Sequence, residues 1–170
     1  MFELQPTLNG ELLKLRPVGL EDYSALFAAA SDPLIWAQHP NPDRYKEEVF
    51  KDYFDGAIKS GGALVVIDVA TNKIIGSSRY YGLDENESQI EIGWTFLATE
   101  YWGGKYNGEL KKLMIDHAFT FADIVIFWVG ETNWRSQRAM EKIGGVRRPG
   151  IHVRNTPGAT DPHVIFEIKR

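Results

Sequence analysis

Runs of β-branched and aromatic residues, "ALVVIDV", "KIIGSSRYYG" and "SQIEIGWTFL", lie mid-chain and are separated by the turn-rich "ATNK" and "LDENE". They predict three strands in hairpin order. Ahead of them, "ELLKLRPV" alternates as a first strand. A helix follows over "LEDYSALFAAASDP", with Tyr23, Leu26, Phe27 and Ala30 at helical spacing and Asp32-Pro33 as its stop. A second helix starts near Asp43, carries Tyr45, Val49, Phe50, Tyr53, Ala57 and Ile58 on its apolar side, and ends at Gly61-Gly62. Between these helices "LIWAQHPNP" reads as an irregular linker. After the hairpins, a helix from about Tyr106 to Phe121 shows Leu110, Leu113, Met114, His117, Ala118 and Phe121 on one face. A buried strand "DIVIFWVG", a helix "NWRSQRAMEKIG" closed by Gly144-Gly145, and strands "VRRPGIHVRN" and "PHVIFEIKR" complete the order. The pattern predicts about seven strands and four helices in an α+β arrangement.

Composition narrows the classes. A chain of 170 residues, 44% hydrophobic and 12% aromatic, suits a single domain over 1–170. With 19 basic and 23 acidic side chains the net charge is -4, and no basic run marks a nucleic-acid partner. The absence of cysteine excludes disulfides and thiolate chemistry, and four scattered histidines argue against a metal centre. No apolar run approaches membrane-span length and the start lacks a signal peptide, so the expectation is a cytoplasmic protein with no membrane partner, monomeric or homodimeric.

The stretch "YWGGKYNGELKKLMIDHA" places two glycines where a strand gives way to a helix. A helix start leaves backbone N–H groups unpartnered, a setting that suits an anion such as a phosphate; Gly103 and Gly104 also serve a plain tight turn. A P-loop is rejected because Lys105 is followed by Tyr106 and not by a hydroxyl residue. A dinucleotide fingerprint fails on spacing.

Through "LLKLRPVGLEDYSALF", "IEIGWTFLATEYWGGKYNGELKKLMIDHAF" and "ETNWRSQRAMEKIGG", the chain resembles the GNAT acyltransferase superfamily, and within it the Rim-type N-acetyltransferases of protein amino groups. The resemblance implies a three-layer acyl-CoA N-acyltransferase fold with a mixed, mostly antiparallel sheet splayed between its fourth and fifth strands. It also implies acetyl-CoA (coenzyme A) as the acyl donor, its pantetheine arm in the splay and its pyrophosphate on the glycine loop. The usual loop has Arg or Gln, then Gly, then Gly or Ala where this chain has Trp102, Lys105 and Asn107. Some Rim-like relatives share the pattern of Trp102, Gly103, Asn107 and Glu109. Expected cofactor contacts are therefore Trp102, Gly103, Gly104, Lys105, Tyr106 and Asn107, with a backbone donor near Phe96 or Leu97 for the acyl carbonyl.

Acetyl transfer to an amine needs a neutral amine, a polarised carbonyl and a protonated leaving thiol. Strand alternation puts Gln89, Glu91, Gly93 and Thr95 on one face and Ile90, Ile92, Trp94 and Phe96 on the other. Glu91 is then either the general base or half of an ion pair. By resemblance, Asn133 binds the pantetheine arm and Ser136 protonates the sulfur; by capping preference, Asn133 is simply a helix N-cap. Arg135 and Arg138 are solvated charges or phosphate ligands, and His117 reads as a hydrogen-bonded core residue. Trp36, His39, Tyr80 and Tyr81 border the acceptor cleft in such folds, or else are core aromatics. The linker "LIWAQHPNP" and the loop "RNTPGATDPH" are expected to flank that cleft. The implied activity is transfer of an acetyl group to a primary amine, either a protein N-terminal α-amino group or a small molecule. The rival is a non-catalytic acyl-CoA-binding sensor.

Overall fold

The computed structural model describes residues 2–155 and 159–170, so part of the expected cleft loop "RNTPGATDPH" lies outside the described residues. Among the described residues eight strands form one sheet: β1 (Leu8–Asn9), β2 (Leu13–Pro17), β3 (Ala63–Asp68), β4 (Lys73–Asp84), β5 (Gln89–Leu97), β6 (Ile124–Gly130), β7 (Val146–Arg147) and β8 (His163–Lys169). Their order is β1-β2-β3-β4-β5-β6-β8-β7. Among the described neighbouring pairs, β5 and β6 alone run parallel, and the link between them carries a helix as such a crossover requires.

Five α-helices among the described residues flank the sheet: α1 (Tyr23–Ala30), α2 (Pro33–Trp36), α3 (Glu47–Ser60), α4 (Lys105–Ala118) and α5 (Trp134–Lys142). The extra helix is α2, inside the stretch expected to be irregular. α1 ends at Ala30 with Ser31 as its cap, and Asp32 then starts α2, its side chain accepting from the Leu34 N–H with Pro33 in the first turn. The expected strand "VRRPGIHVRN" contracts to β7 plus one bridge, His152 to His163, because Pro149 has no N–H to donate and Gly150 turns the chain at φ 90°.

Two apolar clusters cover the two sheet faces. One joins β2, β3 and β5 to α4 through Leu13, Leu64, Ile90, Ile92, Leu110 and Met114. The other joins α1, α2 and α3 to the opposite face through Leu26, Trp36, Phe50, Tyr53, Phe54 and Phe96. Unbroken alternation along β5 does not hold. The register steps from Ser77↔Phe96 to Arg79↔Gly93, two residues on β4 against three on β5, and Trp94 takes φ 51°. This bulge inverts the pattern: Ile90 and Ile92 face α4 before it, whereas Leu97 packs there after it, with Trp94 and Phe96 on the other side.

The bulge adjoins the place where the sheet opens. β5 and β6 pair only from Gln89↔Ile124 to Glu91↔Ile126, although β5 continues to Leu97 and β6 to Gly130. These are the fourth and fifth strands of the sequence reading, shifted by one number because β1 precedes them.

Candidate active site

The opening between β5 and β6 holds a cavity of about 280 Å³, walled by Trp94 and Thr95 on one strand and Trp128 and Val129 on the other. A second cavity of about 190 Å³ lies toward the start of α4, against Leu97, Trp102 and Asn107. Both are lined by His39, Thr95, Lys111, Asn133 and Ser136, so the two spaces meet at the splay. Beyond them a groove of about 800 Å³ runs between the first turn of α4 and the outer face of α5.

The start of α4 is built for an anion. No side chain caps it and no acid lies in its first turn, so its leading N–H groups face the groove. Gly103 has φ 75°, a conformation glycine adopts without strain. A Cβ added at Gly104 would meet no protein atom, so the space beside it is open. Arg138 and Lys142 line the same groove. The chain therefore offers backbone donors and cations around one groove, a setting that suits an anion. Lys105 is exposed and lines none of the three spaces, and Tyr106 packs edge-on against Tyr101 at 4.9 Å.

Trp102 closes over the end of β5, its Nε1 donating to the Leu97 carbonyl at 2.9 Å. Arg135 lies 3.9 Å from the centre of the Trp102 ring and donates to the Leu34 and Ile35 carbonyls. Arg135 is thus a clamp between α5, α2 and the glycine loop, and not a simple solvated charge. Because Ala98 donates to Ile75 and Leu97 sits opposite Gly76, the ladder's alternation turns the Leu97 N–H away from β4, toward the splay. Phe96, one residue earlier, lines the second cavity and belongs to the α3-side cluster.

Asn133 caps α5, its side-chain oxygen accepting from the Ser136 N–H at 3.3 Å. That bond leaves its amide NH2 without a hydrogen bond among the described residues, on a wall shared by both cavities. Ser136 lies beside it on the same wall.

Glu91 is 4% exposed and is gripped by Arg154, whose two terminal nitrogens reach its two oxygens at 3.0 and 2.5 Å. It lines neither cavity. Of the aromatic candidates, His39 lines both cavities and Trp36 one of them, although Trp36 is a core residue at 1% exposure, with its indole N–H on the Ala30 carbonyl. Tyr81 is 45% exposed and packs edge-on against Trp94, outside the cavity lining. Tyr80 points the opposite way, into the α4-side core, with its hydroxyl on the Met114 carbonyl at 2.6 Å. Adjacent strand residues face opposite sides, so Tyr80 and Tyr81 could not both border one cleft. His117 is hydrogen-bonded as expected, its Nε2 2.7 Å from the Glu3 carbonyl, but it is half-buried at the edge of the α4-side cluster and not a core residue.

The sequence reading missed Lys111. It is buried, donates to the Thr95 hydroxyl at 2.9 Å and lies over the Phe127 ring, with no carboxylate partner among the described residues. Burial pushes its pKa down to about 7, so near neutrality a large share of it is uncharged. His39 is also neutral: burial, and then the nearby Arg44, push its imidazole down to about 3. Among the described residues no cluster of His, Asp or Glu could hold a metal, and no helix is long and apolar enough to cross a membrane.

A splayed β5–β6 pair with an uncapped helix start and a cationic groove beside it suits a transferase whose donor carries phosphates. The chain belongs to the acetyltransferase (GNAT) domain family, which matches residues 13–146, and it is an acetyl-CoA-dependent acetyltransferase acting on an amine. No curated protein matches the chain. Its fold is similar to that of a GCN5-related N-acetyltransferase from Brucella melitensis, at 21% identity and TM-score 0.83 over 97% of this chain and 79% of that one. A GNAT-family acetyltransferase from Bacillus anthracis has 21% identity and TM-score 0.75, covering 96% and 98%. A spermidine N-acetyltransferase from Vibrio cholerae, solved with CoA and spermine, has 17% identity and TM-score 0.70, covering 94% and 96%.

Proposed function

We propose that this chain is a Rim-like N-acetyltransferase in which a primary amine, from a protein N-terminus or a small molecule, attacks the thioester directly inside the β5–β6 splay. One observation carries this reading: the cavity beside the glycine loop and the cavity beyond the splay share a wall made of Thr95, Lys111, Asn133 and Ser136. Donor and acceptor therefore have separate approaches to a common point.

When bound, acetyl-CoA supplies an acyl carbon activated as a thioester. Arg138, Lys142 and the first N–H groups of α4 hold its phosphates, the Asn133 amide binds the pantetheine arm, and the Leu97 N–H polarises the acyl carbonyl. As the new C–N bond forms and the C–S bond breaks, the amine must lose one proton beforehand and a second afterwards. We assign the first to Lys111, which lines both cavities and is partly neutral near pH 7. The Ser136 hydroxyl protonates the leaving sulfur and is replenished by the second. Glu91, expected as the base, has both oxygens on Arg154, and for it we propose the role of fixing that arginine in the cavity wall.

The V. cholerae enzyme holds spermine, a polycation. Here Arg44 and Arg154 line the acceptor cavity, which disfavours such a guest. The test is release of coenzyme A from acetyl-CoA across a panel of amines and peptides. Turnover is expected, falling about 10²-fold in Ser136→Ala with the KM for acetyl-CoA little changed. A chain that binds acetyl-CoA yet turns over no amine would be a sensor and would overturn this reading.

A further inference from the structure

Three guanidinium groups and the rings between them form a continuous stack beside the acceptor cavity. Arg44 lies 5.1 Å from the centre of the Tyr53 ring. Arg79 lies 5.8 Å from that ring and 4.5 Å from Trp94. Arg154 lies 4.6 Å from Trp94 and 4.8 Å from Trp128. The carboxylate set against these three cations is Glu91, and Arg154 occupies both of its oxygens. Among the described residues neither Arg44 nor Arg79 pairs with a carboxylate, and Nε of the buried Arg79 has no hydrogen-bond partner. Three positive charges less one negative leave two uncompensated.

Ring faces attract cations but do not neutralise them, and a desolvated charge is costly without a counter-ion. The neighbouring groups do not supply one. His39 is neutral, Lys111 carries zero or positive charge, and Asp161, the carboxylate among the described lining residues, is itself exposed. Arg44 is half-buried on the cavity wall, where burial first, and then Arg79 and Arg154, push its pKa down to about 10. An anion in the cavity would relieve all of these interactions together.

We propose that the acceptor is a small amine carrying a carboxylate, which Arg44 binds in the cavity walled by Trp94 and Trp128. The proposal rests on the acetyltransferase reading for the amine and on the unbalanced arginines for the carboxylate. At about 280 Å³ the cavity lies just below the usual span of ligand sites, roughly 300–1,000 Å³. It suits an amino acid better than a long chain. The acceptor's ammonium points toward Lys111 while its carboxylate stays with Arg44, a polarity that excludes polyamines.

Coenzyme A release is measured with matched amines: L-phenylalanine against phenethylamine, and β-alanine against propylamine, with 3-aminopropylphosphonate and spermidine as further arms. The carboxylate member of each pair should have the higher kcat/KM by about ten-fold or more, and the advantage should collapse in Arg44→Gln, partly recover in Arg44→Lys, and leave the KM for acetyl-CoA unchanged. Equal or better use of the carboxylate-free amines, of spermidine or of the phosphonate overturns the proposal, as does a preference that survives in a folded Arg44→Gln. Calorimetric titration of L-phenylalanine against phenethylamine separates this from the activity itself. If no amine is acetylated but L-phenylalanine alone binds, and binding is lost in Arg44→Gln, the carboxylate site stands while the acetyltransferase mechanism falls. If neither amine binds and none is acetylated, both fall.

Discussion

Lys111 shows what a single buried charge does to the balance of the fold. Its ammonium has the Thr95 hydroxyl and a ring face for company, with Arg44, Arg154 and His39 elsewhere on the cavity walls and Asp161 the lining carboxylate. Burial lowers its pKa from 10.5 to about 7. Between those two values the unfolded chain holds a proton that the folded chain has released, so folding stability rises with pH across that window and is lowest below it. The slope from this group approaches about 1.4 kcal/mol per pH unit mid-window. Lys111→Met should remove that slope, which urea unfolding at pH 6, 7.5 and 9 would read as a variant more stable than the parent at pH 6, with the gap narrowing as the pH rises to 9. If Lys111 takes the amine's proton, the same variant also loses the rise in kcat/KM through about pH 7. Parallel urea curves for the two proteins at all three pH values would contradict the lysine's burial as described. The sequence hid this residue because position 111 sits beside an amphipathic stripe of Leu110, Leu113 and Met114, where a lysine reads as solvated. Only the gap between β5 and β6, which opens beside it, gives the lysine its meaning.

At the scale of elements, the glycine loop and α4 were legible because their signals are local: a glycine pair, then a helical stripe. The bulge in β5 and the short α2 were not. A bulge at Trp94 requires positive φ at a tryptophan, which no propensity predicts, and α2 depends on Asp32 and Pro33 acting as a start where the sequence reads as a stop. The two glycines make opposite predictions. Gly103→Ala should cost about 1 kcal/mol of stability through its left-handed backbone. Gly104→Ala should cost less than that, under about 1 kcal/mol, since its φ is not left-handed and its Cβ meets nothing. Yet Gly104→Ala should raise the KM for acetyl-CoA about ten-fold, with the amine's KM unchanged, because the added methyl projects into the phosphate groove. Thermal melting beside both KM values checks the pair, and an unchanged acetyl-CoA KM would mean that the phosphates lie elsewhere.

The whole molecule is a sheet with a core on each face, and the active-site candidates lie where β5 passes from serving one core to serving the other. Alternation and helical stripes made the strand and helix order readable, along with most core positions. They could not say which aromatic belongs to a core and which to a cleft, since both are apolar and both sit on strands or their connections. Trp36 and Tyr81 illustrate the difference. Trp36 is buried between α1, α3 and β5, in contact with Tyr53 and Phe96 and hydrogen-bonded to Ala30, although one side of it reaches the second cavity. Trp36→Ala should therefore cost about 3–5 kcal/mol and depress every activity in parallel. Tyr81 is half-exposed with its ring edge-on to Trp94, so Tyr81→Ala should cost under about 1 kcal/mol. Because ligand binding adds to folding stability by mass action, acetyl-CoA at 100 times its Kd should return about 2.7 kcal/mol to either variant that still binds it. Melting curves with and without acetyl-CoA separate the two sites. A Trp36→Ala protein that melts with the parent and loses only acetyl-CoA affinity would place that indole in the binding wall and not in the core.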